Sequence, residues 1–434
     1  MKNIKIILSA AILLLGLSSC EDYFEDINND PNNPLVVTPN VILPQIETRL
    51  AYAYAGEGSL YTGVYTQHLD GLTRQFAVYQ NYGIQPVDVN SLISDNMYSG
   101  VLMDNRQMLR FTEENGDFHY TGIGKAIEAY AMLFVTDLVG DLPYTEAFNG
   151  TENLQPIYDS QESIYDVVFS LLDEAETLLS GDAGVRTPSS DDFFYGGDAA
   201  SWLKFVNSLR ARAYIHLAKV DAANYQNALN ALSAGAFESS ADDARLPFTT
   251  ASTGSAPMYQ YIEQRDDAEV GTNYVALLES LNDPRVATYG APMDVPGHPI
   301  FVRDRQTPLM TYTEMKFIEA EALLQTGSDP MTAYLEAIRS SFEEAGVDGY
   351  EDYVAQASVA DATLENIMTQ KYIALFMQAE TFNDWRRTGI PELTPNSGTQ
   401  VPRRLPYPQT EYDLNANVPS PAEVTIFSRV WWDK

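Results

Sequence analysis

The chain has 434 residues, with 60 acidic against 26 basic side chains and a formal net charge of −34 at pH 7. Its 45% hydrophobic content is that of a globular protein with a substantial core, which excludes a chain that is disordered throughout. A field of this sign repels phosphate groups, so nucleic acid is excluded as a partner and electrostatic binding to anionic lipid is disfavoured.

The N-terminus has the features of a lipoprotein signal peptide. Two lysines precede an apolar run from Ile6 to Leu17, which is shorter than the ~20 residues that span a bilayer. Leu17-Ser18-Ser19-Cys20 resembles a bacterial lipobox, in which the cysteine is acylated and becomes the new N-terminus. We therefore expect a signal peptide over residues 1–19, lipid attachment at Cys20 and anchoring through acyl chains alone. The alternative is an ordinary signal peptide with a chance cysteine.

The following segment, residues 20–38, is predicted to be a tether, because turn-forming Asn, Asp and Pro residues crowd its second half. Helical periodicity begins after it, and we expect residues 39–434 to form a single domain. A helix is predicted from Pro39, capped by Thr38, and its inward side chains are Val41, Ile42, Leu43, Ile46, Leu50 and Ala53.

Apolar residues recur at spacings of three and four along most of the remaining chain, which predicts further helices. These cover residues 60–69, 89–113, 120–137, 160–179, 199–219, 222–234, 274–281, 313–325, 331–345 and 359–377. Residues 70–90, residues 236–270 and the proline-rich chain after Gly389 lack this pattern and are predicted to be irregular. Strand signals are few and short. The fold class is therefore all-α, and the pairing of successive helices suggests stacked helical hairpins with long irregular loops.

Six segments match the signatures of one known family. They are Asp137–Ala147 (DLVGDLPYTEA), Trp202–Arg212 (WLKFVNSLRAR), Leu281–Arg285 (LNDPR), Tyr312–Ala322 (YTEMKFIEAEA), Trp385–Pro391 (WRRTGIP) and Arg403–Pro408 (RRLPYP). Together with the lipobox they span nearly the whole chain in the family's order. On these residues the chain resembles the SusD/RagB family of outer-membrane nutrient-binding lipoproteins, although Val139 replaces the aromatic residue usual at its position.

The resemblance implies a tetratricopeptide-like scaffold whose irregular loops build a ligand site. It also implies that the protein captures oligosaccharides or peptides and covers a TonB-dependent outer-membrane barrel as a lid. The acidic stretch after Cys20 resembles the surface-export signal of lipoproteins from the Bacteroidota, and its alternative interpretation is a solvated tether. The signature residues themselves are expected to be scaffold: Trp202, Phe205 and Leu209 in the core, and Arg210 and Arg212 paired with acids.

No catalytic constellation is found in the sequence. Three strings, Ser201-x-x-Lys204, Ser94-Asp95-Asn96 and Arg387-Thr388-Gly389, resemble the motifs of penicillin-recognising serine enzymes, but their order is wrong. The four histidines lack metal-ligand spacing, and Gly122 and Gly124 begin a dinucleotide-binding motif that fails at Ile127. We expect no enzyme activity, no cofactor and no metal site. Open alternatives are a surface glycan-processing enzyme and a structural tether without a ligand.

The predicted ligand site lies in the first irregular segment. Sugar sites combine an aromatic face with planar hydrogen-bonding groups, and residues 68–82 mix both more densely than any other stretch. The candidate contacts are Arg74, Gln75, Tyr79, Tyr82 and Tyr98. The alternative for Tyr79 and Tyr98 is that they pack the segment onto the helices. A second candidate is the excursion that contains Phe248, Met258, Tyr259 and Tyr261, which could instead contact the barrel.

Overall fold

The structure is a computed structural model that describes residues 37–265, 267–295 and 298–434. The expected signal peptide, Cys20 and the tether up to residue 36 lie outside the described residues. In the part of the chain that is described, no helix combines the length and apolar character that a bilayer crossing requires.

The regular secondary structure of the described residues is almost entirely helical, which confirms the predicted class. The α-helices, in chain order, are α1 (Pro39–Ala53), α2 (Ser59–Tyr65), α3 (Arg74–Gln80), α4 (Met103–Asn115), α5 (Phe118–Val139), α6 (Gln161–Leu179), α7 (Ala199–His216), α8 (Ala223–Ser233), α9 (Pro257–Arg265), α10 (Thr272–Ser280), α11 (Val286–Tyr289), α12 (Tyr312–Gln325), α13 (Met331–Ala345), α14 (Tyr350–Val354), α15 (Leu364–Ala374), α16 (Glu380–Thr388) and α17 (Gln409–Leu414). The π-helical stretches Tyr54–Gly58 and Asn90–Leu102 lead into α2 and α4, and short 3₁₀ turns occur at Gly150–Glu152, Leu217–Lys219 and Ser240–Asp242.

Strands are short and form two antiparallel ribbons. The strands are β1 (Leu69–Gly71), β2 (Ala244–Leu246), β3 (Ala268–Val270) and β4 (Thr307–Met310). β1 pairs with β3, and β2 pairs with β4. Each ribbon joins segments that are far apart in sequence and so fixes an irregular stretch against the helical body.

Helix α5 is the centre of the molecule, and nearly every residue from Tyr120 to Val139 is buried. Two glycines near its start allow its neighbours to approach closely. A Cβ at Gly122 would lie 2.7 Å from Cγ of Leu179 on α6, and one at Gly124 would lie 2.8 Å from Cδ2 of Leu109 on α4. Since real Cβ atoms do not approach so closely, these glycines serve helix packing.

The main hydrophobic core runs from Leu43 near the start of α1 to Trp432 near the C-terminus. A second cluster fills the space between α12, α13 and α15, with Phe317, Tyr334 and Ile338 fully buried. Helices α7 and α8, and helices α12 and α13, pack as successive hairpins, in agreement with the predicted stacking.

The family-signature residues are scaffold, as predicted. Trp202 and Leu209 are 0% exposed and belong to the main core. The Nη2 atom of Arg210 lies 3.0 Å from Asp173 and 2.8 Å from Glu176. The buried guanidinium of Arg212 binds Glu314, with Nη2 and Oε2 2.5 Å apart.

A buried polar network joins the core helices around His216. Its Nδ1 atom lies 3.0 Å from Asp137 and its Nε2 atom 2.6 Å from Glu380. Burial alone would lower the pKa of His216, but the two carboxylates outweigh it and raise the pKa to about 9. The imidazole is therefore a cation at neutral pH, and it offsets charge that the core could not hold unpaired.

Several predicted elements are corrected by the structure. Val41 is 55% exposed rather than inward, because Leu43, Ile46 and Leu50 define the buried stripe of α1 and Val41 lies off it. Thr38 makes no side-chain cap. The predicted helix over 359–377 is shorter and covers only Leu364–Ala374.

Three stretches predicted to be irregular contain short helices. Helix α3 lies within 70–90, α9 within 236–270, and α17 after Gly389. Only two residues of α3, Phe76 and Tyr79, face the core. Too few positions are therefore buried to give a detectable period, and the helix is held by tertiary contacts.

Candidate ligand-binding surface

The β1–β3 ribbon joins the two segments that the sequence marks separately as ligand-binding candidates. Its register pairs Leu69 with Val270, Asp70 with Glu269 and Gly71 with Ala268. Hydrogen bonds at both ends continue it: Gly271 N donates to His68 O at 2.9 Å, and Leu72 N donates to Asp267 O at 2.8 Å. We call the surface formed by residues 70–82, 257–265 and 267–279 the ribbon surface.

Asp70 connects the two halves of the ribbon surface. Its Oδ2 atom accepts hydrogen bonds from the backbone N and the hydroxyl of Thr272, at 2.8 and 2.6 Å. This is the N-terminus of α10, where a carboxylate satisfies an otherwise unpaired N–H group. The Oδ1 atom accepts from Gln80 Nε2 at 3.0 Å, and Gln80 Oε1 in turn accepts from Gly71 N at 2.9 Å. One side chain thus fixes α3 and α10 relative to each other.

Asp267 positions the start of α3. It is buried, and its Oδ1 atom accepts from the Thr73 hydroxyl at 2.8 Å and lies 3.4 Å from Nε of Arg74. The Arg74 side chain is otherwise 69% exposed. Its backbone φ of 51° lies in the left-handed region, which is uncommon for a residue with a Cβ and costs roughly 1 kcal/mol or more. The Asp267 contacts stabilise this conformation and leave the guanidinium facing solvent.

Gln75 is exposed and bridges polar groups at the surface. Its Nε2 atom donates to Asp88 Oδ1 at 3.1 Å and to the Tyr79 hydroxyl. The Tyr79 ring is 2% exposed and packs edge-on against Tyr61, with centroids 5.4 Å apart. Gln75 therefore lies at the surface, whereas the Tyr79 ring holds the inner side of α3 against the core.

Tyr82 packs the end of this segment against the core. It is 6% exposed, its hydroxyl accepts from Asn396 N at 2.7 Å, and its ring packs edge-on against Tyr65. Burial raises the pKa of Tyr82, so the phenol is neutral. Like Tyr79, it presents no open ring face in this conformation.

Tyr98 lies in a different part of the molecule. It is half-buried, its hydroxyl donates to Pro143 O at 2.9 Å, and its ring stacks on Phe148 with centroids 5.8 Å apart. The structure thus brings Arg74, Gln75, Tyr79 and Tyr82 together along one segment and separates Tyr98 from them.

The second candidate segment contributes Tyr261. Its neighbours Phe248, Met258 and Tyr259 are buried, whereas Tyr261 is half-buried and reaches Phe76 of α3, with ring centroids 6.3 Å apart. Burial, and then the charge of Glu57 and the proximity of Tyr52, raises the pKa of Tyr261.

Tyr52, on α1, is 41% exposed, and both Tyr52 and Glu57 contribute to the raised pKa of Tyr261. Tyr52 was not among the sequence-predicted contacts. It lies on α1 between buried positions, and no feature of the sequence distinguishes it from a packing residue.

A cleft of about 430 Å³ adjoins the outer edge of the ribbon. One wall is β3 and α10 and the other is the turn after α11. The apolar side chains of Leu72, Val275 and Pro292 line it together with the carboxylates of Glu269, Glu279 and Asp294. This cleft offers hydrogen-bond acceptors beside an apolar floor, which suits a neutral, hydroxyl-rich ligand. In the described residues no group of three or more His, Cys, Asp or Glu side chains is arranged to hold a metal ion.

Comparison with known proteins gives a consistent result. A family model of SusD-like proteins, described as starch-binding and associating with the outer membrane, matches residues 31–298 and 297–408. A SusD/RagB family protein from Bacteroides thetaiotaomicron has a similar structure, with a TM-score of 0.79 at 25% identity, covering 92% of this chain and 99% of the other. None of the curated protein sequences compared with this chain matches it.

A second similar structure is that of a chitin-binding SusD homologue from Flavobacterium johnsoniae. Its TM-score is 0.75 at 22% identity, and the match covers 91% of this chain and 97% of the homologue. At this level of identity the likeness establishes a shared fold. The family expectation drawn from the six sequence segments is confirmed.

Proposed function

Because this chain belongs to the SusD-like family of starch-binding proteins that associate with the outer membrane, we propose that it captures an extracellular oligosaccharide at the ribbon surface. We infer the class of ligand from the family match. The β1–β3 pairing supports the location, because it joins the segment that carries Arg74 and Gln75 to the segment that carries Tyr261.

In this proposal the side chains have distinct roles. Arg74 and Gln75 are exposed: Arg74 donates hydrogen bonds to sugar hydroxyls, and Gln75, whose two amide N–H groups are engaged by Asp88 and Tyr79, accepts them through Oε1. Tyr52 and Tyr261 offer the partly exposed rings on which the C–H face of a sugar stacks. The buried rings of Tyr79 and Tyr82 hold α3 in place.

The adjoining cleft extends the surface for a chain of more than one sugar. Its carboxylates, among them Glu269 and Asp294, accept hydrogen bonds from hydroxyl groups, and no basic side chain lines it within the described residues. A neutral glycan therefore suits this surface better than an acidic one.

We further propose that the protein delivers its ligand to a TonB-dependent outer-membrane barrel, which it covers as a lid. Lipid on Cys20 anchors it at the cell exterior, residues 20–38 form the tether, and residues 39–434 move as one domain. The protein acts by binding, without catalysis.

The ligand proposal is tested by calorimetric titration with maltooligosaccharides, chitooligosaccharides and a panel of short peptides. We expect an oligosaccharide to bind, and the double variant Arg74→Ala/Gln75→Ala to lose at least about tenfold in affinity, or 1.4 kcal/mol. Arg339→Ala is the matched control, since Arg339 is also an exposed arginine but lies on α13. Equal affinity of the double variant and the parent would show that the ligand binds elsewhere. Binding of peptides alone would show that the ligand is a peptide rather than an oligosaccharide.

The delivery proposal is tested by mild-detergent purification from native outer membranes with a tag at Lys434. A stoichiometric large barrel in the eluate is the expected result. Its absence from a correctly lipidated preparation would contradict the role as a lid and leave the ligand proposal intact.

A further inference from the structure

A second cavity, of about 290 Å³, lies around Tyr98. Its walls come from the π-helical stretch Asn90–Leu102, from the turn after α5 and from the chain that leads into α17. None of its lining residues belongs to the ribbon surface. We call it the tyrosine pocket.

Three tyrosines, Tyr98, Tyr158 and Tyr407, line the pocket. The rings of Tyr158 and Tyr407 meet edge-on, with centroids 5.2 Å apart. Backbone and side chains of Leu142 and Pro143 add apolar surface beside them. The pocket thus offers several aromatic faces within the reach of one small ligand.

Each of these hydroxyls already donates its proton within the protein. Tyr98 donates to Pro143 O at 2.9 Å, Tyr158 to Glu411 Oε2 at 2.7 Å, and Tyr407 to Asp141 O at 3.1 Å. A phenol whose proton is engaged can only accept a further hydrogen bond. The tyrosines therefore contribute acceptors, and no donors, to the pocket.

The other polar groups of the pocket also favour a ligand that donates hydrogen bonds. Two carboxylates, Asp95 and Glu411, line the pocket, and none of the described residues that line it is Lys, Arg or His. The hydroxyls of Ser94 and Thr410 share one hydrogen bond of 2.7 Å, which engages one of their two protons. After burial, the charge of Glu411 raises the pKa of both Tyr98 and Tyr158, so the phenols stay neutral beside an anion.

We propose that the tyrosine pocket binds a small organic cation, namely a protonated primary amine on a compact carbon body. The ammonium group supplies three donors to an acceptor-rich pocket and is attracted to the faces of Tyr98 and Tyr158, whereas the Arg404 guanidinium already lies over the Tyr407 ring, 4.6 Å from its centroid. The carbon body packs against the apolar wall. An amino sugar and an alkyl amine share this chemistry, and the inference does not depend on the ribbon surface.

The test is a titration of the purified chain by ligand-observed NMR and calorimetry. Glucosamine and cadaverine represent the two sources of the ammonium group, and glucose and N-acetylglucosamine are the neutral counterparts. We expect at least one amine to bind about tenfold or more tightly than the neutral compounds, and the tighter amine identifies the source. Absence of binding by both amines, or affinities of both amines no higher than those of the neutral compounds, would overturn the proposal.

Variants of residues that line the pocket test whether the amine binds there. Glu411→Gln keeps the shape and removes the charge, and we expect about a tenfold loss for the amine. Asp413→Asn is the matched control, because Asp413 is an exposed acid on the same helix and does not line the pocket. Ser99→Trp, at an exposed lining position, should block the pocket without touching the core. Amine binding unchanged by both Glu411→Gln and Ser99→Trp, in variants with parental melting temperatures, would contradict the location.

Discussion

The indole N–H of Trp432 donates to Oδ1 of Asp137 at 2.8 Å, which ties the third residue from the C-terminus to the end of the central helix α5. The same oxygen accepts from the Tyr165 hydroxyl at 2.7 Å. The final residues therefore complete the core, and they do so at the carboxylate that also binds His216.

Replacing Trp432 by Phe should destabilise the fold by about 2 kcal/mol, because a buried carboxylate loses a donor and the smaller ring leaves a void. Trp431→Phe is the control, since Trp431 is half-buried and makes no such bond to Asp137. Chemical denaturation of both variants measures the difference. Equal losses would show that the indole N–H contributes nothing specific.

His216 predicts a loss of stability at alkaline pH. Its folded pKa of about 9 exceeds the unfolded value of about 6.5, so the folded state holds the extra proton between those values. The stabilisation is complete below pH 6.5 and falls as the pH rises toward 9, by at most about 1.4 kcal/mol per pH unit. His216→Gln should be less stable than the parent at pH 6. The difference between their free energies of unfolding should become smaller by pH 9. Parallel stability curves for the two proteins would contradict the assignment.

The lowered pKa of His68 predicts a loss of stability at acidic pH. Burial among Tyr274, Tyr372 and Phe376 lowers the pKa of His68 to about 3, and its Nδ1 accepts from Met377 N at 3.1 Å. The unfolded chain therefore binds a proton below about pH 6.5 that the folded chain does not, and stability falls as the pH decreases toward 3.

His68→Asn keeps an acceptor near Nδ1 and removes the titration. The variant should be less stable than the parent at pH 7, and the gap should narrow at pH 5, measured by urea denaturation. A constant difference in the free energy of unfolding between pH 7 and pH 5 would mean that folding does not lower the pKa of His68.

Asp70→Ala should affect both stability and ligand binding. Loss of the cap on α10 should cost about 1 kcal/mol, and the released ribbon should weaken oligosaccharide binding roughly tenfold. Asp198→Ala removes a comparable cap, in which Oδ2 accepts from Ser201 N at 3.0 Å at the start of α7. That control should lose similar stability and keep its affinity. If both variants bind equally well, Asp70 has no role in positioning the site.

The contrast between α6 and α3 explains how much of the fold the sequence could predict. Helix α6 has many buried positions at helical spacing, and Ser160 caps it locally, so its bounds were predicted to within one residue. Helix α3 depends on Asp267 and Asp70, whose partners are distant in sequence. A pattern within seven residues does not contain that information.

The candidate site was predictable in part for the same reason. Composition marked the segments around Arg74 and Tyr261 independently, but it did not show that a ribbon joins them. Tyr98 was grouped with Arg74 because it follows closely in sequence, and the structure places it in a separate pocket. The pairing register and the direction of each ring come from tertiary packing, which local sequence does not encode.

The β1–β3 ribbon determines how late in synthesis and folding the ribbon surface can form. Its three residue pairs close a loop of roughly 200 residues, and so long a closure is reached late, after the helices between its ends have packed. Synthesis must also pass β3 before the ribbon surface can exist, so a chain truncated before β3 would lack the proposed ligand site. Under the proposed function, ligand capture at this surface would therefore require that the chain from β1 to β3 has folded.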